Sequence, residues 1–377
     1  VHERVSEFAR KYPQLADLPL STTPGRKLRR IVTEAEWRDE WVEPDQPTES
    51  AFQVTELASR RSASWLDAIS AFLTAHTKYK GLLARFRCDD GDTFDVPLSD
   101  AWGEDYSKKE YARALACERQ MGGGERPTGG TSVAAWDKPT TLTLTASSVP
   151  NGERVGPVDH LDAVHDSFSY DGTRYALRNT MEYHLGLESD EWGYWLQAEP
   201  HGMGGDGDGM NACYTHIHVG VYFDRSPISA SYESLDMIGA EFERVIDKHV
   251  EVCDFAAFSA HDYMQIDSYV EDSDGCISLN ADVENVGSYL ASYMGGYTEE
   301  LLEKPVEYLA WGALYWSAAR RRTSRSQVLN HAIKADACQQ RFENQEANQS
   351  VAHADNVMWS PNNGPDVVCA CCNSGWQ

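Results

Sequence analysis

Two histidines one residue apart, His216 and His218, are the side chains in this sequence that most directly suggest metal binding. They lie in a run of β-branched and aromatic residues, 214–224, where Ile217 and Val219 alternate with them. This alternation predicts a β-strand, on which the two imidazoles share one face and the apolar side chains share the other. Two neighbouring imidazoles on a rigid element can bind a divalent cation. The spacing is equally compatible with two half-exposed histidines that bind nothing.

A second strand with ligand-type residues is predicted over 193–201, where Glu199 and His201 stand two apart and so on one face. A loop rich in glycine and aspartate, 202–209, joins the two strands. It lacks the lysine of a phosphate-binding loop and the terminal glutamate of an EF-hand, so we interpret it as a flexible connection. Glu199 or His201 would complete a three-ligand site with open positions for a substrate. Mixed carboxylate and imidazole ligands suit Mg²⁺ or Mn²⁺ as well as Zn²⁺.

The elements around these strands follow from periodicity. Thr140–Ala146 alternates threonine with leucine, which is typical of a strand with one polar and one apolar face. A period near 3.6 predicts helices at 51–86, 109–121, 158–183 with a break at 171–172, 231–252 and 306–316. We also expect a hairpin at 86–96 and a further strand at 263–270.

Three tyrosines in the segment 284–297 recur at intervals of four residues: Tyr289, Tyr293 and Tyr297. If this segment is helical, their side chains form a stripe along one face of the helix. A tyrosine stripe on its own is more typical of a core or an interface than of a catalytic site.

The chain has 377 residues, with 33 Lys+Arg against 59 Asp+Glu and a formal net charge of −26. The acidic residues are spread over the whole length. This favours a halophilic cytoplasm, where molar salt shortens the Debye length to about 3 Å. An acidic mesophilic protein with basic partners is the alternative. Because molar salt weakens long-range attraction to DNA, local arginines and base stacking would have to carry any DNA binding.

The densest basic cluster in the sequence follows the aromatic segment 306–316 and consists of Arg320, Arg321, Arg322 and Arg325. Arginines beside aromatic side chains are candidates for contact with a DNA backbone. The alternative is a helix C-terminus complemented by cations.

The nine cysteines lack the regular spacing of a disulfide framework. We expect no signal peptide, and the sequence contains no run of about 18 apolar residues. We therefore expect a soluble, cytoplasmic protein without a membrane partner.

A glycine-rich segment, 122–134, predicts a linker between two parts of the chain. Before it lies an N-terminal accessory region, 1–121, which is mostly helical with the hairpin near 86–96. After it lies the main domain, 135–330, followed by a helix and a loose C-terminal tail over 331–377.

Three motifs of the main domain stand in an order that resembles the HUH endonucleases, specifically the rolling-circle replication initiators (Rep proteins) of haloarchaeal plasmids and viruses. Their first motif, a Leu/Thr strand, matches Thr141-Leu-Thr-Leu-Thr145. Their metal-binding His-x-His strand matches His216-Ile-His218. Their two-tyrosine helix matches Tyr289-Leu-Ala-Ser-Tyr293. The resemblance covers roughly residues 135–330.

The resemblance implies an α+β fold, in which a central antiparallel sheet of about five strands is flanked by helices, as in HUH endonucleases and RRM-like domains. His216 and His218 would lie on a central strand, with the tyrosine helix over that face. N- and C-terminal regions that are mainly helical would be added to this domain.

The resemblance also implies a metal-dependent nickase that cuts and rejoins origin DNA, single-stranded or in a hairpin, through a phosphotyrosine intermediate. Tyr289 and Tyr293 would be the nucleophiles, with Tyr293 the one that acts if only one does. Host replication machinery would be a further partner. The alternatives are an HUH transposase or relaxase, a non-catalytic DNA-binding plasmid-maintenance protein, and a metal phosphodiesterase for small nucleotides.

Overall fold

We describe a computed structural model of the protein over part of the chain. The described residues are 1–23, 63–87, 92–97, 101–121, 140–201, 211–223, 228, 232, 234–261, 269, 275–279, 300–337 and 339–340. The helices in this part are α1 His2–Lys11, α2 Pro13–Ala16, α3 Trp65–Lys80, α4 Glu104–Met121, α5 Pro157–Ser167, α6 Thr173–Asn179, α7 Leu235–Val252, α8 Val306–Ala318 and α9, residues 327–337. The strands are β1 Leu83–Arg87, β2 Thr93–Pro97, β3 Thr140–Leu144, β4 Trp192–Pro200, β5 Thr215–Phe223, β6 Ile277–Ser278 and β7 Thr323–Arg325.

Five of these strands form one antiparallel sheet in the order β6-β3-β5-β4-β7. The histidine strand β5 is therefore central, with the threonine strand β3 on one side and β4 on the other. This confirms the predicted α+β fold with a sheet of about five strands. The register places His216 opposite Glu199 on β4, and it places His218 opposite Gln197 on β4 and Thr143 on β3.

One face of the sheet is apolar because alternate residues of each strand are aliphatic. Leu142 and Leu144 of β3 and Ile217, Val219 and Val221 of β5 are fully buried there. The helices α5 and α8 contact this sheet directly, and α6 packs on α7. Burial of this face supplies most of the driving force for docking helices on the sheet.

The predicted helical stretch 158–183 is interrupted as expected. The helix α5 ends at Ser167, and α6 starts after Gly172. A Cβ on Gly172 would lie 2.3 Å from the backbone oxygen of Ser167, so only glycine permits this close approach. A π-helical turn, Thr180–His184, follows α6.

The N-terminal helices pack against α8 and join the main hydrophobic core of the sheet. The fully buried Trp65 of α3 donates a hydrogen bond from Nε1 to the backbone oxygen of Ala310, at 2.9 Å. Phe72 packs against the position of Gly312, where a side chain would crowd its ring. The helix α3 begins with a capping box in which Ser64 accepts from the Asp67 backbone N–H and Asp67 accepts from that of Ser64. The division of the chain into domains stays a prediction.

Two predicted boundaries differ from the structure. The helix expected over 51–86 is described as Trp65–Lys80, because Gly81 ends it and the chain then enters β1. The hairpin predicted near 86–96 is present, but its paired strands β1 and β2 extend from Leu83 to Pro97.

Several predicted elements lie outside the described residues. They are the linker 122–134, the loop 202–209, most of the strand predicted at 263–270, the tyrosine segment 284–297 and the tail from 341 onward. Within the described part, no helix combines the length and apolar character needed to cross a membrane.

Candidate metal centre

A carboxylate and two imidazoles meet on the polar face of the sheet. Strand pairing brings Glu199 of β4 opposite His216, and the two-residue repeat of β5 adds His218 on the same side. The His216 Nε2 lies 2.6 Å from Glu199 Oε1 and 2.9 Å from His218 Nε2, and His218 Nε2 also contacts Glu199 Oε1. All three residues are buried, and one ligand atom from each lies within 4.8 Å of the others. This group could hold a metal ion.

The protonation states of Glu199 and His216 fit a divalent cation. Burial raises the pKa of Glu199, but the charges of His218 and His216 and their hydrogen bonds outweigh burial and lower it to about 2. Burial lowers the pKa of His216, although Glu199 partly offsets this. Carboxylate oxygen and neutral imidazole nitrogen are the forms that bind metal. A divalent cation between the three side chains would bind the carboxylate oxygen and both imidazole nitrogens.

Of the two candidates for a third ligand, the structure brings Glu199 into the group. His201, at the end of β4, instead has its Nε2 3.0 Å from Thr145 Oγ1. The His201 ring stacks on that of His216, with ring centroids 4.1 Å apart and planes tilted by 34°. His201 therefore packs against a candidate ligand, and burial lowers the pKa of His201 well below the ordinary value.

Threonines of β3 form the other side of the site. The Thr143 hydroxyl lies 3.0 Å from His218 Nδ1, the nitrogen that faces away from Glu199. The sequence predicts only that these threonines form the polar face of their strand. The shared period of two could have predicted this contact. When two strands pair in register, the polar residues of both lie on the same side of the sheet.

Three further buried histidines hold the backbone just beyond β3. His249 Nε2 lies 2.8 Å from Thr145 O, and His160 Nε2 lies 3.0 Å from Ala146 O. The Thr145 backbone N–H points to His261 Nε2 at 3.4 Å. Burial lowers the pKa of both His160 and His249 to about 4, so they are neutral donors at pH 7. They come from distant parts of the chain, so no local pattern predicted them.

At the other end of the polar face, the site is closed by packing. Trp195 of β4 and Tyr222 of β5 contact Ala114 of α4 and Leu329 of α9 in a second hydrophobic cluster. This cluster excludes water from that end of the face, which strengthens electrostatic interactions in the site.

The four arginines of the predicted DNA-binding cluster have different surroundings. Arg320 forms ion pairs with Asp162 and Asp166, both at 2.8 Å. Arg321 is exposed.

The remaining two arginines are held by contacts within the protein. Arg322 is buried, donates to Tyr308 Oη at 2.5 Å, and lies over the Trp102 ring at 4.0 Å. Arg325 pairs with Glu110 at 2.7 Å. Contact of the four with DNA stays a prediction, and Arg321 is the member best placed for it.

The predicted nucleophiles Tyr289 and Tyr293 lie outside the described residues. Their position relative to the Glu–His–His group, and their roles, stay predictions.

Known proteins similar to this chain were found by sequence. A family model described as "Putative rep protein (DUF1424)" matches residues 49–362. An "Uncharacterized 36 kDa protein" of Halobacterium salinarum is 30% identical over 269 residues, which cover 69% of this chain and 73% of that protein. A protein of the same description from Halobacterium sp. (strain GN101) is 32% identical over 225 residues, 56% of this chain and 58% of its own length. No solved structure matches.

Proposed function

The chain belongs to the haloarchaeal family of rep proteins, and we propose that it initiates replication by nicking and rejoining single-stranded DNA at an origin. The observation that carries this proposal is the buried Glu199–His216–His218 group on the central strand of an antiparallel sheet and the strand beside it. A replication protein that also nicks DNA needs a site that stabilises a reacting phosphate. This group offers one.

Glu199, His216 and His218 would hold the cation, and Mg²⁺ or Mn²⁺ fits the oxygen and nitrogen donors, with Zn²⁺ as a third candidate. When bound, a divalent cation neutralises charge that develops on the phosphate in the transition state. The rigid pairing of β4 with β5 fixes the three donors, so little reorganisation is needed when the substrate arrives.

We assign the nucleophile to Tyr289 and Tyr293. The phenol oxygen attacks phosphorus, a tyrosyl–phosphate bond forms, and the bond to the 3′ oxygen of the DNA breaks. The phenol proton leaves to solvent, and the 3′ oxygen takes up a proton to become the hydroxyl that primes synthesis. Because the phosphodiester energy is kept in the new bond, the reverse reaction rejoins the strand. Two tyrosines would allow one to hold a strand end while the other cuts again.

The test is formation of a covalent protein–DNA adduct. Purified protein is mixed with MnCl₂, molar KCl and labelled single-stranded fragments that tile the replicon encoding it. A denaturing gel then separates the adduct from free DNA. We expect an adduct with the origin fragment, loss of it with EDTA, and loss of it in a double Tyr289→Phe, Tyr293→Phe variant. Tyr297→Phe is the matched control on the same segment and should leave the adduct intact.

Three results would contradict the proposal. Absence of an adduct with every fragment and metal, together with origin binding unchanged in His216→Ala, would identify a non-catalytic DNA-binding protein. Cleavage that survives the double tyrosine change would identify a phosphodiesterase without a tyrosyl intermediate. An adduct formed only with transposon ends or a transfer origin would identify a transposase or a relaxase.

A further inference from the structure

The threonine strand β3 lies beside the metal ligands without supplying one of them. Its apolar alternates, Leu142 and Leu144, enter the core, while Thr143 and Thr145 face the histidines. On the basis of the proposed metal site, we infer that Thr143 and Thr145 are positioning residues that orient the two imidazole ligands.

Thr143 acts directly on His218. An imidazole that gives the lone pair of Nε2 to a cation carries its proton on Nδ1. In His218 that nitrogen lies 3.0 Å from Thr143 Oγ1, so the N–H donates to the hydroxyl oxygen. The hydrogen bond selects the tautomer that binds metal and fixes the rotation of the ring. Partners of this kind, which contact a ligand rather than the metal, strengthen metal binding.

Thr145 acts on His216 through an intermediate ring. Within the described residues, His216 Nδ1 is buried and has no hydrogen-bond partner, so no hydrogen bond to that atom fixes this ring. The ring instead stacks on His201, whose Nε2 is held by Thr145 Oγ1 at 3.0 Å. A stacked ring restrains tilt less strictly than a hydrogen bond. We therefore expect a smaller contribution from Thr145 than from Thr143.

The position of Thr145 is itself fixed by histidines. Its backbone groups lie beyond the last residue of β3 and are satisfied by His249 and His261, while His160 holds the next carbonyl group, that of Ala146. Three buried side chains thus keep the end of β3 in place. Thr143 and Thr145 are thus held where their hydroxyl groups contact histidine rings, a role that strand propensity alone does not require.

The experiment measures metal binding, which does not depend on DNA cleavage. Mn²⁺ is titrated into the full chain by isothermal calorimetry. We expect Thr143→Val, which replaces the hydroxyl by a methyl group of similar volume, to weaken Mn²⁺ binding about 10- to 100-fold. Thr143→Ser restores the hydroxyl and should restore affinity. Thr145→Val should weaken binding less than Thr143→Val.

The matched control is Thr141→Val. Thr141 is on the same face of β3 and is buried, whereas Thr143 is half-buried, and the register places Thr141 opposite Gly220 and Ser278 rather than a histidine. Its substitution should leave Mn²⁺ affinity unchanged. If Thr143→Val does not fold, as judged by circular dichroism, Thr143→Ala adds no atoms to the interior and permits the same comparison with serine.

Equal Mn²⁺ affinity in wild type and Thr143→Val, or an equal loss in Thr141→Val, would overturn the inference. Failure of the wild type to bind Mn²⁺ would remove the metal site and the inference together. Wild type that binds Mn²⁺ but forms no DNA adduct would contradict the proposed nicking and leave the positioning roles in place.

Discussion

At the scale of single residues, Glu199 illustrates how a buried charge is tolerated. Desolvation of a carboxylate is costly, yet Glu199 lies against His216 and His218 and stays ionised at neutral pH. The Nε2 atoms of both imidazoles approach the same oxygen, Glu199 Oε1. A divalent cation would bind all three groups at once.

Metal should therefore stabilise the fold. At a Mn²⁺ concentration 100 times the dissociation constant, the free energy of unfolding should rise by about 2.7 kcal/mol. Glu199→Gln should abolish this increase, because a neutral amide is a weak ligand. Urea denaturation with and without MnCl₂ measures the increase in wild type and its loss in Glu199→Gln. Glu307→Gln is the control, since Glu307 is another buried carboxylate, bound to Tyr12 Oη at 2.7 Å. It should lower stability but keep the metal-dependent increase.

Acid should destabilise the protein through its buried histidines. Burial lowers the pKa of His160 and His249 to about 4, against about 6.5 when unfolded. Below pH 6.5 the unfolded chain binds protons that the folded chain does not. The free energy of unfolding therefore falls as the pH drops from 6.5 towards 4, because His160 and His249 must stay neutral in the folded state. Each of these two histidines should lower the free energy of unfolding by roughly 2 kcal/mol between pH 6.5 and 5.

Urea denaturation in steps from pH 7.5 to 5 measures this loss. The carboxylate of Glu199, with a pKa of about 2, stays ionised in this window and does not confuse the result. His160→Gln keeps a donor for Ala146 O without a group that titrates, so its stability should depend less steeply on pH. If the free energy of unfolding of His160→Gln fell with pH as steeply as that of wild type, His160 would not be a source of the acid sensitivity.

At the scale of elements, sequence periodicity predicted the strands that build the site. The Thr/Leu alternation of β3 and the His/aliphatic alternation of β5 each repeat over enough residues to show a period of two. The edge strands β6 and β7 have only two and three residues, too few for any period, and both were missed. β7 lies within the arginine cluster, where charge rather than alternation dominates the sequence.

The candidate ligands could be predicted because they lie two apart on adjacent strands. Their supports could not, since His160, His249 and His261 are brought to β3 only by the packing of α5, α7 and the segment after α7. Tertiary contacts of this kind leave no trace in local spacing. The same holds for the arginines, whose acidic partners lie 154 or more residues away.

The helix α4 is fixed to the sheet edge by one buried ion pair, Glu110 with Arg325. The Glu110 side chain is only 2% exposed and also pairs with Arg113, and its removal takes the carboxylate away from the Arg325 guanidinium, which is 16% exposed. Glu110→Ala should lower the free energy of unfolding by about 3 kcal/mol. Lys108→Ala on the same helix breaks the exposed pair with Glu104 and should have no measurable effect. Equal effects in urea denaturation would show that the buried pair does not fix α4.

At the scale of the whole molecule, the N-terminal helices and the sheet share one hydrophobic core. The glycine-rich segment predicts an accessory region at residues 1–121, and this division stays a prediction. Trp65 and Phe72 of that region pack against α8, which contacts β4 on the apolar face of the sheet. A change in composition shows where regular secondary structure ends. It does not show which helices and strands pack together, because that depends on apolar faces that only the folded chain brings together.

The net charge of −26 makes stability depend on salt. Repulsion among dispersed carboxylates opposes the compact state, and salt screens it as the Debye length falls from about 10 Å at 0.1 M to about 3 Å at 1 M. The urea midpoint should therefore rise over this range of KCl. The same series at pH 4.5, where some carboxylates are protonated, is the control and should show a weaker rise. A midpoint independent of KCl at neutral pH would contradict the halophilic interpretation.

The central place of β5 has a kinetic consequence. All nine residues of the strand are buried, and the strand is paired on both sides. Its amide hydrogens can therefore exchange with deuterium only when the surrounding sheet opens as a whole, whereas hydrogens of peripheral segments exchange through small local fluctuations. The strand β5, which carries the candidate metal ligands His216 and His218, should thus be among the last parts of the protein to take up deuterium. The imidazoles of His216 and His218 should therefore keep their positions while peripheral segments fluctuate.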